Sequence, residues 1–243
     1  IPTVIFKVQR TGPSTGMPTR TQQADILSCA YASHGDTKHV LLFPADPGEC
    51  FTTAVQAFDF AERLQTPVMV LSDLDIGMND WMVPEFEWDE NYVPDRGKVL
   101  SAEELEEAES FYRYLDVDGD GIPYRTLPGV HPKGSYFTRG SGHTKLGAYT
   151  EDGAAYQEVL DRLLVKWETA REILPQPDIR YAEFNKAAIL TLGSGHAACL
   201  EALDRLAEQN INVNYCRVKA FPFQESVKDF IAKHEVVYVV EQN

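Results

Sequence analysis

Short apolar runs and amphipathic stretches alternate near both ends of the chain, and the middle shows neither pattern. Val4 to Val8 is a β-branched, strand-like run, followed by a Gly/Pro/Ser/Thr-rich stretch over residues 11–19. From Thr21 to His34, Ala24, Leu27, Ala30 and Tyr31 recur at helical spacing and predict a helix. Val40-Leu41-Leu42-Phe43 is unbroken apolar sequence, the mark of a strand covered on both faces. A turn at Pro44 to Gly48 leads into a second predicted helix from Glu49, with Phe51, Val55, Phe58, Ala61 and Leu64 as its stripe. Pro67 ends that helix, and Val68 to Leu71 is a third buried strand. Strand, loop, helix, strand, helix, strand with short connections is an open parallel sheet.

The pattern returns near the other end. Glu151 to Leu174 predicts a long amphipathic helix with Tyr156, Val159, Leu160, Leu163, Leu164, Trp167 and Ala170 on one stripe. Strands at Ala187–Leu192, Val213–Val218 and Val236–Val240 then alternate with helices at His196–Gln209 and Gln224–His234. In between, Ser101-Ala102-Glu103-Glu104 forms a capping-box sequence that predicts a helix to about Tyr114, and residues 115–150 are rich in Gly and Pro. The expected organisation is α/β. Two open parallel-sheet units, at 1–80 and 151–243, are joined by an irregular, turn-rich connector over 81–150 that lies on the surface without a core of its own.

Composition narrows the options. The 243 residues are 44% hydrophobic, enough for a buried core, with 22 Lys+Arg against 37 Asp+Glu. Residues 81–120 hold 3 basic and 13 acidic side chains, a net of −10, so two-thirds of the total charge of −15 belongs to the connector. Such acidity argues against nucleic acid, whose phosphates need clustered Lys/Arg. No apolar run reaches the roughly 18 residues of a membrane span. Cys29, Cys50, Cys199 and Cys216 form no CxxC pair, which points to buried thiols in a reducing, cytoplasmic setting and to no metal site in this chain. The chain opens on Ile1 in a strand-like run and closes just after another, so both ends are expected to be cut ends, and no signal peptide is visible.

The candidate chemistry concentrates in Gln9-Arg10-Thr11-Gly12-Pro13-Ser14-Thr15-Gly16-Met17-Pro18-Thr19-Arg20. This stretch follows the first strand, at the end of an open α/β sheet where ligands bind. A guanidinium, several hydroxyls and glycine-freed N–H groups suit a carboxylate or phosphate; the plain alternative is a polar loop with an exposed Arg. Gly12 to Gly16 also reads GxSxG, but a nucleophile elbow would put Ser14 between a strand end and a helix, and Pro18 opposes that helix. Asp116-Val117-Asp118-Gly119-Asp120-Gly121 copies the opening of a calcium loop, yet its twelfth position is Leu127 where a bidentate Glu is required. A solvated acidic turn is the expected reading, and cation binding there is left open. Gly193-Ser194-Gly195-His196 reads as a tight turn with Ser194 capping the next helix. His34, His39, His131 and His234 show no metal-ligand spacing, and no role is assigned to His143.

The stretch from Val8 through Arg10, Gly12-Pro13-Ser14-Thr15-Gly16 and Pro18-Thr19, with Gln23-Ala24-Asp25 after it, closely resembles the α subunit of 2-oxoacid:ferredoxin oxidoreductases of the 2-oxoglutarate type. Pro67 to Asp73, Asp120-Gly121-Ile122-Pro123 with Arg125 and Pro128-Gly129, Phe221-Pro222-Phe223 and Val240 to Asn243 follow in the family's order, so the resemblance spans nearly the whole chain. It implies that 1–80 is the second half of a pyrimidine-type thiamine-diphosphate domain and that 151–243 is a helix plus a transketolase-C-terminal-like domain. It implies oxidative decarboxylation of a 2-oxoacid to an acyl-CoA, with electrons passing through a 4Fe-4S cluster to ferredoxin. Arg10 would hold a substrate carboxylate and Thr19 would shape the distal pocket, with Ser14 and Thr15 nearby. Thiamine diphosphate with Mg2+, and the cluster, would be held mainly by a partner β subunit, coenzyme A would be a co-substrate, and the assembly would be a dimer of αβ units. The family's activating glutamate lies upstream of this segment, so no catalytic residue is assigned here, cofactor contacts stay open, and activity is expected only with the partner and the upstream region. The rival readings are a serine hydrolase using Ser14 and a non-catalytic α/β interaction module.

Overall fold

The computed structural model describes residues 1–14, 16–33, 36–182 and 186–242. The first sheet runs in the order β1 (Thr3–Gln9), β3 (Pro67–Asp73), β2 (Val40–Leu42), β7 (Ala220–Phe221). β1, β3 and β2 are parallel, in register from Thr3 opposite Pro67 to Gln9 opposite Asp73. The second sheet runs β4 (Asp178–Arg180), β6 (Asn214–Val218), β5 (Ala187–Leu192), β8 (Val236–Val240), with β6, β5 and β8 parallel. Two open, mostly parallel sheets are thus present, as the periodicity implies. β4 and β7 are additions, each a short antiparallel edge strand. β7 crosses back, so sequence beyond residue 151 completes the first sheet.

Alternation along the buried strands explains their unbroken apolar sequence. Leu41, Phe43, Met69 and Leu71 point into a core shared with Ala188, Leu190, Leu192, Cys216 and Val218 of the second sheet. Val40, Leu42, Val68 and Val70 point the other way, onto α2 (Pro47–Leu64) and α5 (Gly153–Ile173). A period of two with both faces covered leaves no polar position in the strand. α6 (Gly195–Ala207) covers the far side of the second sheet through Cys199 on Ile189 and Tyr215, while α7 (Glu225–Ala232) adds Val227 and Phe230 to the shared core.

Several predicted helices change. The helix expected over 21–34 is α1 (Ile26–Ala30) alone, and His34 lies outside the described residues. Residues 21–23 are irregular and 24–25 form a turn: Gln23 N–H donates to Gln242 O at 3.0 Å, so a contact 219 residues away overrides local propensity. The capping box at Ser101 and Glu104 is present, but α4 (Ala102–Glu107) ends well before Tyr114. Glu103, Glu104, Glu106, Glu107 and Glu109, with no cation among them, repel at helical spacing. On α5 only the last third is covered: Lys166, Trp167 and Ala170 are buried, while Tyr156 and Leu164 are exposed. On α2 the buried residues are Ala57, Phe60, Ala61 and Leu64; Phe51, Val55 and Phe58 instead line a groove beneath Trp88 and Tyr92.

The segment 81–150 is pinned by polar contacts. Tyr92 Oη donates to Asp59 at 2.6 Å, Arg125 pairs with Glu62, and Gln65 Nε2 donates to Pro123 O at 2.7 Å. Ile122 enters the core beside Trp167, and Leu105 is fully buried. No helix among the described residues is long and apolar enough to cross a membrane.

Arg217 on β6 is 1% exposed and ties the second sheet to α2, the helix that packs on the first. Its Nη2 donates to Glu49 of α2 at 2.6 Å, and its Nε lies 3.1 Å from Asp178 of β4. Burial alone would raise the Glu49 carboxyl, but hydrogen bonds from Arg217 and from Ala45 N–H outweigh it and hold the group below its usual value of 4.5. A depressed carboxyl contributes stability above its unfolded value and loses it as pH falls. Glu49→Gln is therefore expected to cost about 2 kcal/mol in urea unfolding at pH 7, with the gap to the unmodified chain closing below pH 4.5.

Lys166 shows the opposite sign. Burial, with Arg162 and Arg113 nearby, pushes its ammonium down to about 8. Unfolded it titrates at 10.5, so the native state loses the proton first and stability rises as pH climbs from about 8 to 10.5. Lys166→Met should add on the order of 2 kcal/mol at pH 7 and flatten that alkaline rise, as read from unfolding curves across the range.

Candidate functional site

Gln9 and Asp73 close neighbouring strands in the same rung of the first sheet. The chain after Gln9 makes a loop whose stem is tied at several levels. Thr11 N–H donates to Arg20 O at 2.9 Å, Met17 N–H to Thr11 O at 3.3 Å, and Thr11 Oγ1 to Thr21 O at 3.3 Å. Gly16 sits where a Cβ would come within 2.6 Å of both Thr11 O and Gly12 O, so only glycine lets the loop fold back this tightly. Below the stem, Gln9 Oε1 accepts from Asp25 N–H at 3.2 Å. The loop base is held rigidly and its tip stands in solvent.

The loop carries two guanidinium groups. Arg10 is exposed and Nη2 reaches Ser14 O at 3.4 Å. Arg20 donates from Nη1 to both Thr19 O and Thr19 Oγ1, each at 3.2 Å. Among the described residues neither Arg is paired with a carboxylate, whereas Lys7 beside them is bound to Asp25 at 3.2 Å. Unpaired guanidiniums on a fixed loop at the carboxyl end of a parallel strand can receive an anion. Arg20 is the element that residue spacing does not single out; its hold on Thr19 exists only in three dimensions. Arg10, Ser14 and Thr19 share this loop, and Thr15 lies outside the described residues.

The carboxyl end of β5 arrives at the same place. Ser194 Oγ donates to Asp73 Oδ2 at 2.5 Å, and Gln23 Nε2 donates to the same oxygen at 2.9 Å. Gln242 N–H donates to Gln23 Oε1 at 3.1 Å, and Gln242 Nε2 to Ser194 Oγ at 3.1 Å. The expectation that Ser194 caps α6 is not met. Its hydroxyl makes no cap bond and serves the buried carboxylate of the other sheet, the stronger acceptor. Gly193, at φ +57°, leaves room for the Gln23 amide, since a Cβ there would lie 2.7 Å from Gln23 Nε2.

The other candidates resolve into structure. After Gly16 the chain runs through turns, and the next helix begins only at Ile26, so Ser14 does not stand on a strand-to-helix elbow. His143 stacks on Tyr114 at 4.1 Å with Nδ1 against Thr144 O. His196 Nδ1 lies 2.6 Å from Tyr215 Oη; burial first, then Arg217, lowers the imidazole, and burial raises the phenol, so both are neutral at pH 7. No group of three or more His, Cys, Asp or Glu among the described residues could hold a metal. The described residues therefore do not fit Mg2+ or an iron–sulfur cluster.

The calcium-like loop already contains a cation. Lys98 Nζ donates to Asp118 Oδ2 at 2.6 Å, Asp120 Oδ1 at 2.8 Å and Ile122 O at 3.1 Å, while Asp116 is turned inward onto the N–H groups of 118, 119 and 121. Burial alone would lower the ammonium, but its two aspartates hold it above its ordinary value. Millimolar calcium should leave the thermal midpoint unchanged, and Lys98→Ala should cost about 1 kcal/mol in urea unfolding. A calcium-dependent rise in the midpoint of the unmodified chain would contradict this arrangement.

Comparison with known proteins gives a consistent picture. Residues 1–111 match the family described as "Pyruvate flavodoxin/ferredoxin oxidoreductase, thiamine diP-bdg". The chain is 31% identical over 249 residues to "2-oxoacid:ferredoxin oxidoreductase 2, subunit alpha" of Aeropyrum pernix, covering 100% of this chain and 38% of that one. It is 31% identical over 244 residues to "2-oxoglutarate synthase subunit KorA" of Archaeoglobus fulgidus, covering 100% of this chain and 61% of that one. Among solved structures it matches the 2-oxoglutarate:ferredoxin oxidoreductase of Magnetococcus marinus, which holds 2-oxoglutarate, coenzyme A and succinyl-CoA. The TM-score is 0.88 at 25% identity, over 100% of this chain and 41% of that one. The chain thus spans less than two-thirds of the length of each of these relatives.

Proposed function

We propose that this chain, which matches the thiamine-diphosphate-binding family model over residues 1–111 and is similar along its length to 2-oxoacid:ferredoxin oxidoreductase α subunits, supplies the substrate-acid site of such an enzyme, of the 2-oxoglutarate type. The reaction would be oxidative decarboxylation of the 2-oxoacid to an acyl-CoA, with electrons delivered to ferredoxin. In this reading residues 1–80 are the second half of a pyrimidine-type domain, 81–150 a connector, and 151–243 a helix with a transketolase-C-terminal-like domain. Mg2+ and a 4Fe-4S cluster would sit on a β subunit in a cytoplasmic dimer of αβ units.

The observation that carries the reading is the pair of guanidiniums, Arg10 and Arg20, without a carboxylate partner among the described residues, on a loop fixed at the carboxyl end of β1. A 2-oxo diacid has two carboxylates about a carbon chain apart. Arg10 would hold one by charge-assisted hydrogen bonds. Thr19, oriented by Arg20, would offer its hydroxyl to the distal end, and Ser14 and Thr15 are assigned to the same pocket by the resemblance alone. Thiamine diphosphate, when bound, supplies the electron sink for decarboxylation. What this chain contributes is a fixed, positively charged cradle that places the acid.

In the complex assembled with its partner subunit, Arg10→Ala should raise KM for 2-oxoglutarate and lower kcat. Loss of a charged hydrogen bond of about 1.5–3 kcal/mol amounts to roughly a 10- to 150-fold fall in kcat/KM. Thr19→Ala should narrow the preference for 2-oxoglutarate over pyruvate. Steady-state kinetics with both acids measure this, and unchanged constants in Arg10→Ala would overturn the assignment.

A further inference from the structure

We propose that Asp73 is a positioning residue for the substrate loop, acting through Gln23, and that it sets the loop and the second sheet as one unit; this rests on reading the loop as the carboxylate site. Asp73 is 1% exposed and its four lone-pair directions are filled. Oδ1 accepts from the N–H groups of Asp75 and Ile76, at 2.9 and 3.2 Å, and Oδ2 from Gln23 Nε2 and Ser194 Oγ. Gln23 ends the loop that Gln9 begins, and its backbone N–H and side-chain carbonyl are both bound to Gln242. Its amide is thereby oriented with the carbonyl toward Gln242 and the NH2 toward Asp73. Residue 73 must accept on that side, and with Oδ1 already capping the N–H groups of Asp75 and Ile76, only a carboxylate has an oxygen left to do so. An asparagine side chain there would turn its own NH2 against the Gln23 NH2, and one of the two would be left buried and unpaired.

The consequence is directional. Loss of the Asp73 contact leaves Gln23 held only by Gln242 and loosens the chain between Thr21 and Asp25, and with it the stem that holds Thr11 against Arg20. Arg10 and Thr19 then sample more positions, and both capture and alignment of the acid suffer, because small misplacements of a bound group are costly. A purely architectural role would behave differently. It would lower the folded fraction and the thermal midpoint, but KM of the molecules that remain folded would not move.

The test uses the assembled complex with 2-oxoglutarate. Asp73→Asn should raise KM roughly tenfold. Adding Gln23→Glu reverses the donor and acceptor, since the new carboxylate accepts from both the introduced amide at position 73 and the Gln242 N–H, and should bring KM back toward the unmodified value. If Asp73→Asn does not assemble, Gln23→Ala carries the test, and its KM should rise more than that of Ser194→Ala, which leaves the loop's own tether in place. A KM equal to the unmodified value in Asp73→Asn, or in Gln23→Ala where that variant stands in, overturns the proposal, whatever happens to the thermal midpoint. Arg10→Ala separates the two levels. A raised KM there beside unmoved values in the Asp73 and Gln23 variants overturns only the positioning role, whereas an unmoved KM in Arg10→Ala overturns the reading of the loop itself.

Discussion

The buried carboxylate of Asp73 is the constraint around which the rest of the molecule is arranged. A charge removed from water must find donors for its lone pairs, and no single element can supply four. Two come from the backbone just beyond β3, which fixes where the chain turns away. The others come from Gln23 and Ser194, which lie 50 residues before it and 121 after it in sequence. Satisfying one side chain therefore requires the end of β5 to meet the end of β3, and the chain leaving α5 must travel far enough to make that meeting. The apolar core shared by both sheets makes the association favourable. The polar junction fixes its register, because an apolar interface alone could slide.

This division explains what sequence could and could not disclose. β5 falls on its apolar run because burial within a parallel sheet leaves a local signature, and β8 falls on its β-branched run although it is an exposed edge strand. The helix expected across residues 21–34 fails for the opposite reason: Gln23 reads as helix-compatible, and its partner Gln242 lies at the far end of the chain. β4 and β7 are two or three residues long and exist only through antiparallel partners elsewhere. The loop at Arg10 was legible because glycine, proline and hydroxyl residues in that order have few other uses. Asp73 and Ser194 were not legible as parts of the site, and Arg20 only as a member of the stretch without its hold on Thr19, because what matters about them is which atom each one faces.

Charge is segregated in the same spirit. The acidic residues of 81–120 are partly neutralised at close range, by Lys98 on Asp118 and Asp120, Arg63 on Asp95, and Lys133 on Glu106. Pairs of this kind shorten the reach of the segment's field, and salt screens the remainder within about 10 Å. A protein of net charge −15 can then present a locally positive loop to an acidic ligand. Lys98 also shows why a calcium-loop sequence need not be a calcium site: a side-chain ammonium supplied from 20 residues upstream fills the same electrostatic role.

The loop's own design follows from these pieces. Two arginines close together would normally repel and splay, and in an exposed loop they would spend most of their time apart. Here the backbone is tied at Thr11–Arg20, closed by Gly16 and anchored through Gln23, so folding itself meets the entropy of holding the two cations on one loop. Only the side-chain tips remain free to adapt. If the loop is the acid site proposed above, an arriving acid would find a geometry already set, and binding energy that would have gone into ordering the loop would remain available for aligning the acid. On that reading a buried aspartate without any contact to ligand contributes to the site by holding the loop, while the exposed arginines meet the acid.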